Sequence, residues 1–132
     1  MDLGAALIAR LQGAAAVSAI VGSKVWWIQR PQGTEVPAVV LRHSGGEDVE
    51  NLDGDSDMTE ARVTADCFGA TDAQAKQLAR AVKAALKPPG LQGDFSFDAS
   101  DVSGPIDLGE PGVAGWQHRA SLDCVIRHGA ET

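Results

Sequence analysis

The chain contains no tyrosine, and aromatic residues make up only 5% of its 132 positions. A platform on which bases stack needs a run of exposed rings, so this scarcity argues against one. Cations are scarce as well. Eleven Lys and Arg stand against 18 Asp and Glu, giving a net charge of −7 and a pI near 4.7. That balance argues against binding nucleic acid by phosphate neutralisation. There are two cysteines, Cys67 and Cys124. Each sits on the apolar side of a strand-like segment and reads as a small core residue in a reducing compartment, with a disulfide between neighbouring strands as the alternative. No apolar run approaches a membrane span: Ala5 to Ile8 is cut short by Arg10 and Gln12. The start shows no charged n-region, apolar h-region and cleavage pattern, so the expected location is a cytoplasm, or a larger assembly built there.

Reactive motifs are also missing. The sequence has no Gly-x-Ser-x-Gly elbow, no Gly-Lys-Ser/Thr phosphate loop, no Gly-x-Gly-x-x-Gly and no Cys-x-x-Cys. A cysteine nucleophile would need a nearby base and an electropositive pocket, and nothing local offers either. The reading is therefore a non-enzyme with no catalytic residue, no metal and no cofactor.

What is present is a folded chain of ordinary composition, 44% hydrophobic and 22% charged. Its length suits one domain, residues 1–132, with a real core. The clearest stretch is Met58 to Leu86. Ala61, Val63, Ala65 and Cys67 alternate with Glu60, Arg62, Thr64 and Asp66, the period of a strand with one buried face. Gly69-Ala70-Thr71-Asp72 then breaks the strand and caps a helix over roughly Thr71 to Lys87. There Ala75, Leu78, Ala79, Val82, Ala85 and Leu86 recur at helical spacing until Pro88-Pro89-Gly90 stops the run.

Upstream, Asp2 can cap a first helix striped by Leu3, Leu7, Ile8 and Leu11. Gly13-Ala14-Ala15-Ala16 loosens it, Val17 to Val21 adds a short turn, and Gly22-Ser23 closes the element. Strands are expected at Lys24 to Ile28 and Ala38 to His43, and short ones around Phe95 to Phe97 and Val102. A long final strand places Trp116, His118, Ala120, Leu122, Cys124 and Ile126 on one face. The region 88–115 is rich in Gly, Pro and Asp. The simplest arrangement is α+β, an antiparallel or mixed sheet of four or more strands with two main helices packed on it.

Three groups of residues invite a functional reading. The first is the acidic segment 47–57, with Glu47, Asp48, Val49, Glu50, Leu52, Asp53, Asp55 and Asp57. Alternating carboxylates from Asp53 suggest a calcium loop. The pattern fails at the sixth position, where Met58 stands for the required Gly, and at the twelfth, where Thr64 stands for Glu. The segment is then either a solvated loop or one that orders against a partner burying Val49 and Leu52. The second is the stripe Lys76, Arg80, Lys83 and Lys87, opposite the apolar side of the long helix. It is either the wet face of that helix or a surface that meets an acidic partner. The third is Trp26-Trp27, one indole to each side of its strand. One belongs to the core, and the other, assigned to Trp26, is an interface anchor. Cys67, Cys124, His118 and His128 could form a zinc site only if strands brought them together.

The order of four pieces carries a resemblance. Ala19 to Trp26 reads Ala-Ile-Val-Gly-Ser-Lys-Val-Trp. A Pro-Gln-Gly turn, Pro31 to Gly33, precedes Val36 to Leu41. Ala61 to Phe68 runs into the Ala-rich helix Ala73 to Leu86. In this order the chain resembles the tail completion, or tail terminator, proteins of long-tailed phages and of phage-derived gene transfer agents. The resemblance implies a virion structural protein that forms a ring, usually of six copies, on the head-proximal end of the tail tube. Such a ring ends tube polymerisation and offers a joining surface to a head connector or stopper protein. Its partners would be itself, the tail tube protein and that connector, with no membrane. DNA would pass through the channel without specific binding, and an acidic wall suits that passage because like charge keeps phosphates from sticking. Competing readings are another neck or head–tail connector protein, a small metal-dependent enzyme using the cysteines and histidines, and a free-standing ligand-binding module.

Overall fold

Polar and apolar residues alternate along two long segments, and in the computed structural model these segments pair with each other. Residues 3–28, 36–43, 49–50, 59–92, 95–112 and 115–130 are described. In chain order they form α1 (Leu3–Gln12), α2 (Ala15–Val21), β1 (Val25–Trp27), β2 (Ala38–His43), β3 (Val49–Glu50), β4 (Thr59–Gly69), α3 (Asp72–Leu86), β5 (Gly90–Gln92), β6 (Phe95–Phe97), β7 (Asp101–Asp107), β8 (Glu110–Gly112) and β9 (Gly115–Ala130).

The fold is α+β. Its centre is the antiparallel ladder of β4 with β9, from Thr59↔His128 to Gly69↔His118. Strand β2 pairs along the other side of β4, from Ala38↔Phe68 to His43↔Val63. The sheet is mixed because β1 runs parallel to β2, with Val25 opposite Val39 and Trp27 opposite Leu41. On the far side of β9 lie β8, β7 and β6 in turn, and β5 pairs with β6. The acidic segment contributes β3, with Val49 opposite Glu60 and Glu50 opposite Thr59. Its other residues named above, Glu47, Asp48, Leu52, Asp53, Asp55 and Asp57, lie outside the described residues.

One face of the central strands presents Val39 and Leu41, Val63, Ala65 and Cys67, and Ala120, Leu122, Cys124 and Ile126 to a single core. Helix α3 covers this face with Ala75, Leu78, Ala79, Val82 and Leu86. Strand passes to helix with almost no slack. A Cβ added to Gly69 would lie 2.5 Å from the Ala75 backbone nitrogen, so only glycine allows this approach. The Thr71 hydroxyl accepts from the Gln74 N–H at 3.1 Å, and the Gln74 side chain accepts from the Ala70 N–H at 2.8 Å. This is a capping box with its return bond shifted one residue outward: it satisfies the Gln74 N–H that the helix start leaves open and ties down the Ala70 N–H just before the cap.

The N-terminal element departs from the expectation of one helix with an added turn. It is two helices, α1 and α2, bent by 86° at Gly13-Ala14. Gly13 weakens helix propagation, and Ala14 starts α2 from an extended backbone without a side-chain cap. The bend lets Leu7 and Leu11 of α1 and Val17 and Val21 of α2 all reach the core beside α3. So α3 lies on β4 and β9, whereas α1 meets β1, β5 and α3, and α2 meets α1 and α3. Arg10 ties α1 to the opposite end of the chain. Its guanidinium sits 4.9 Å from the Phe97 ring centre and donates to the Pro88 carbonyl.

Leu78→Ala should cost about 2–5 kcal/mol, from lost burial plus the cavity left in a core that cannot fully collapse. Thr71→Ala should cost about 1 kcal/mol through the cap alone. Gly69→Ala should cost about 1–3 kcal/mol by forcing α3 off the sheet. Urea unfolding midpoints of the three variants check this order, and an unchanged midpoint for Gly69→Ala would mean that α3 is free to lift.

Candidate assembly surfaces

Alternation that fills the core with one set of side chains places the other set on the opposite face. There the register aligns a row across five strands: Trp26, Val40, Asp66, Ser121 and Ile106. The same face carries Arg42 on β2, Arg62 on β4, and Arg119 and Arg127 on β9. Asp66 is buried in the middle of the row. Its Oδ2 lies 3.2 Å from Arg42 Nη2 and 3.8 Å from Arg119 Nη1. Its Oδ1 and the Nε of Arg119 have no hydrogen-bond partner among the described residues. A buried carboxylate is costly unless cations face it, and two arginines do so here. Lower on the same face, Arg127 joins Glu60 at 3.4 Å and Asp101 at 3.1 Å, tying β9 to both neighbouring strands.

The basic stripe of α3 is partly committed within the chain. Lys76 Nζ lies 3.0 Å from Asp72 and 3.3 Å from Asp107. Hydrogen bonds to Asp72 and then Asp107 raise its pKa, so it stays charged. Lys83 Nζ donates to the Gly104 carbonyl at 3.1 Å. Both lysines thus hold β7. Arg80, between them, is exposed and has no ion-pair partner among the described residues. Strand β7 needs this support because it bulges between Ser103 and Ile106. Gly104 sits in the bulge at φ +109°, and a Cβ there would lie 2.8 Å from the Ser121 carbonyl oxygen.

The two indoles separate as their strand alternates. Trp27 packs on the core, lies against Gly4 and meets His43 edge-on at 5.5 Å between ring centres. Trp26 is half-buried in the row on the opposite face. The cysteines and histidines do not converge. Cys67 is opposite Ala120 and Cys124 opposite Val63, so the two stand four ladder positions apart, and both are free thiols. His118 pairs with Gly69 and His128 with Thr59, at opposite ends of the same ladder. Burial pushes the Cys67 thiol up, with Asp66 and Cys124 adding to it, and pushes the Cys124 thiol up to about 12. Neither thiol supplies a nucleophile at neutral pH.

Sequence reasoning named Trp26, Lys76, Arg80 and Lys83 but passed over Asp66, Arg42 and Arg119. The only signal was a carboxylate on the polar side of a strand, and that is commonplace. Register alone brings the two arginines to it. The exposed apolar residues Ile28, Leu91, Ile106 and Leu108 were likewise unmarked.

The family model described as Tail completion protein gp17 matches residues 5–112. No curated protein matches the chain. Among solved structures, a chain of the virion of a native gene transfer agent particle superposes with a TM-score of 0.66 at 20% identity. The match covers 96% of this chain and 95% of that one.

Asp66→Ala should destabilise the fold by about 1–3 kcal/mol. This is below the usual cost of breaking a buried pair, because the arginines left behind are partly hydrated. Thermal unfolding checks it. Separately, iodoacetamide should leave Cys67 and Cys124 unmodified at pH 7.5 until denaturant is added, with mass spectrometry as the readout. Rapid native labelling would place a thiol at the surface.

Proposed function

The chain belongs to the Tail completion protein gp17 family, and from that premise we propose that it forms a ring capping the tail tube at its head-proximal end. It is a tail structural component of a phage or phage-like particle. In this reading, copies of the chain, six by analogy with the family, close on the last turn of the tube and end its polymerisation. The exposed side of the ring offers the joining surface for a head connector or stopper protein. DNA passes through the channel without specific contacts, and the chain's negative balance disfavours phosphate adhesion there.

The observation that carries this reading is the extent of the fold likeness. It runs through nearly the whole of both chains, and the other chain belongs to an assembled virion. The chemistry is consistent with a structural role, since the two thiols are buried and protonated and His118 and His128 sit at opposite ends of one ladder. We assign contacts with neighbouring subunits or the tube to the acidic segment, through Glu47, Asp48, Val49, Glu50, Leu52, Asp53, Asp55 and Asp57. We assign further contacts to the exposed Arg80 with Lys76 and Lys83 on α3, and to the half-buried Trp26 on the sheet face away from that helix.

Deleting the gene should give particles with tails of unregulated length and few joined heads, visible by negative-stain microscopy. Cryo-imaging of complete particles should place a ring of this chain directly on the last tube ring. Tails of normal length in the deletion strain, or density on the head side with no tube contact, would overturn termination. The second outcome would favour the neck-connector reading instead.

A further inference from the structure

Strand β7 carries one residue more than β9 can pair with. Asp101, Val102 and Ser103 stand opposite Val125, Cys124 and Asp123. From Ile106 onward the register is displaced by one residue, and β8 keeps the displaced register from Glu110↔Gln117 to Gly112↔Gly115. The extra residue sits at Gly104-Pro105. Its position decides which way the following residues face, because a one-residue slip turns every side chain of a strand over.

The sequence here reads Asp101-Val102-Ser103-Gly104-Pro105-Ile106-Asp107-Leu108. Its period puts Val102, Ile106 and Leu108 on one side and Asp101, Ser103 and Asp107 on the other. Val102 obeys that period and is buried in the core. After the bulge the sides are exchanged. Ile106, 60% exposed, lies opposite Ser121, and Leu108, 40% exposed, gives its N–H to the Arg119 carbonyl, so both follow the face away from α3. Asp107 is turned toward α3 instead, opposite the buried Ala120 and 3.3 Å from Lys76.

A second glycine, Gly109, follows this segment in the gap between β7 and β8. With the extra residue there, β8 and its turn would keep their register. Ile106 would come opposite Ala120 and Leu108 opposite His118, on the core side, as their period requires. Asp107 would come opposite Arg119, on the outer face. Arg119 has an open donor for it: Nη1 reaches Asp66 only at 3.8 Å, and Nε has no hydrogen-bond partner among the described residues.

We propose that β7 is a two-register strap, in which the bulge migrates between Gly104 and Gly109 and residues 105–108 turn over with it. The observed register shows Ile106 and Leu108 on the outer face. The second withdraws them and shows Asp107. Lys76 on Asp107 and Lys83 on the Gly104 carbonyl hold the first. Pro105 favours it too, since in the second register it would stand opposite Ser121 with no N–H to give to that carbonyl. Arg119 holds the second. A partner that binds Ile106 or Leu108 therefore stabilises the first register alone.

The two registers do not depend on ring formation, and the isotope-labelled full-length chain in solution tests them. In an antiparallel pair the Cα atoms of a non-hydrogen-bonded position approach to about 4.5 Å. The Hα of Ala120 then meets the Hα of Asp107 in the first register and that of Ile106 in the second, which nuclear Overhauser contacts distinguish. The wild-type chain should show the Asp107 contact. Pro105→Thr restores the N–H, and Lys76→Met with Lys83→Met removes the cations but keeps their stems. Each variant should bring in the Ile106 contact and weaken the Asp107 contact, and adding Arg119→Met should reverse the change. Removing Gly104 takes away the extra residue and should keep the Asp107 contact in every background. An Asp107 contact that persists alone in both the Pro105→Thr and the double-lysine variants would overturn the second register. An Ile106 contact that Arg119→Met leaves unaltered would overturn the exchange of Asp107 from Lys76 to Arg119.

Discussion

The close seating of α3 on the β4–β9 ladder governs the rest of the molecule. The chain leaves β4 at Gly69 and is helical by Asp72, so the helix has almost no freedom to choose where it lands. Small residues at the contact, Gly69, Ala75, Ala79, Ala65 and Ala120, let the two backbones approach. Once α3 is fixed, Lys76 and Lys83 fix β7 through Asp107 and Gly104. The position of the sheet's outer edge therefore follows from a packing decision made at the strand–helix turn.

Charge is distributed by the same geometry. The chain is acidic overall, yet the sheet face away from α3 carries four arginines, of which Arg42 and Arg119 meet Asp66, and Arg127 meets Glu60 and Asp101. Asp66 anchors that face by drawing on both Arg42 and Arg119. Such pairs, with one partner buried and the others partly wet, contribute modestly to stability and strongly to which strands lie side by side. The result is a sheet face whose central carboxylate is held by cations from both neighbouring strands.

The protonation of the two thiols is itself a structural outcome. Cys67 and Cys124 look like reactive groups in composition alone. The ladder holds them four positions apart and seals both from water, and burial keeps each thiol protonated. His118 and His128 are spread along β9 for the same reason: a strand extends its residues, whereas a metal centre needs them gathered.

Much of the fold was legible in the residues because it is local. The alternation from Ala61 to Cys67, the Thr71 cap, the helical stripe ending at Pro88 and the run Ala38 to His43 each depend on neighbours close in sequence, and each lies where periodicity placed it. The sequence by itself also determined the acidic balance and the absence of a catalytic motif. Tertiary structure alone decided the parallel pairing of β1 with β2, the 86° bend between α1 and α2, and the capture of Lys76 and Lys83 by β7. It alone also aligned Trp26, Val40, Asp66, Ser121 and Ile106 in one row and left apolar residues at opposite edges. The physical reason is range. Periodicity tells which side of an element is buried, but not which distant element buries it. Strand register and edge identity are set by contacts between residues tens of positions apart, and these exist only once the core has closed.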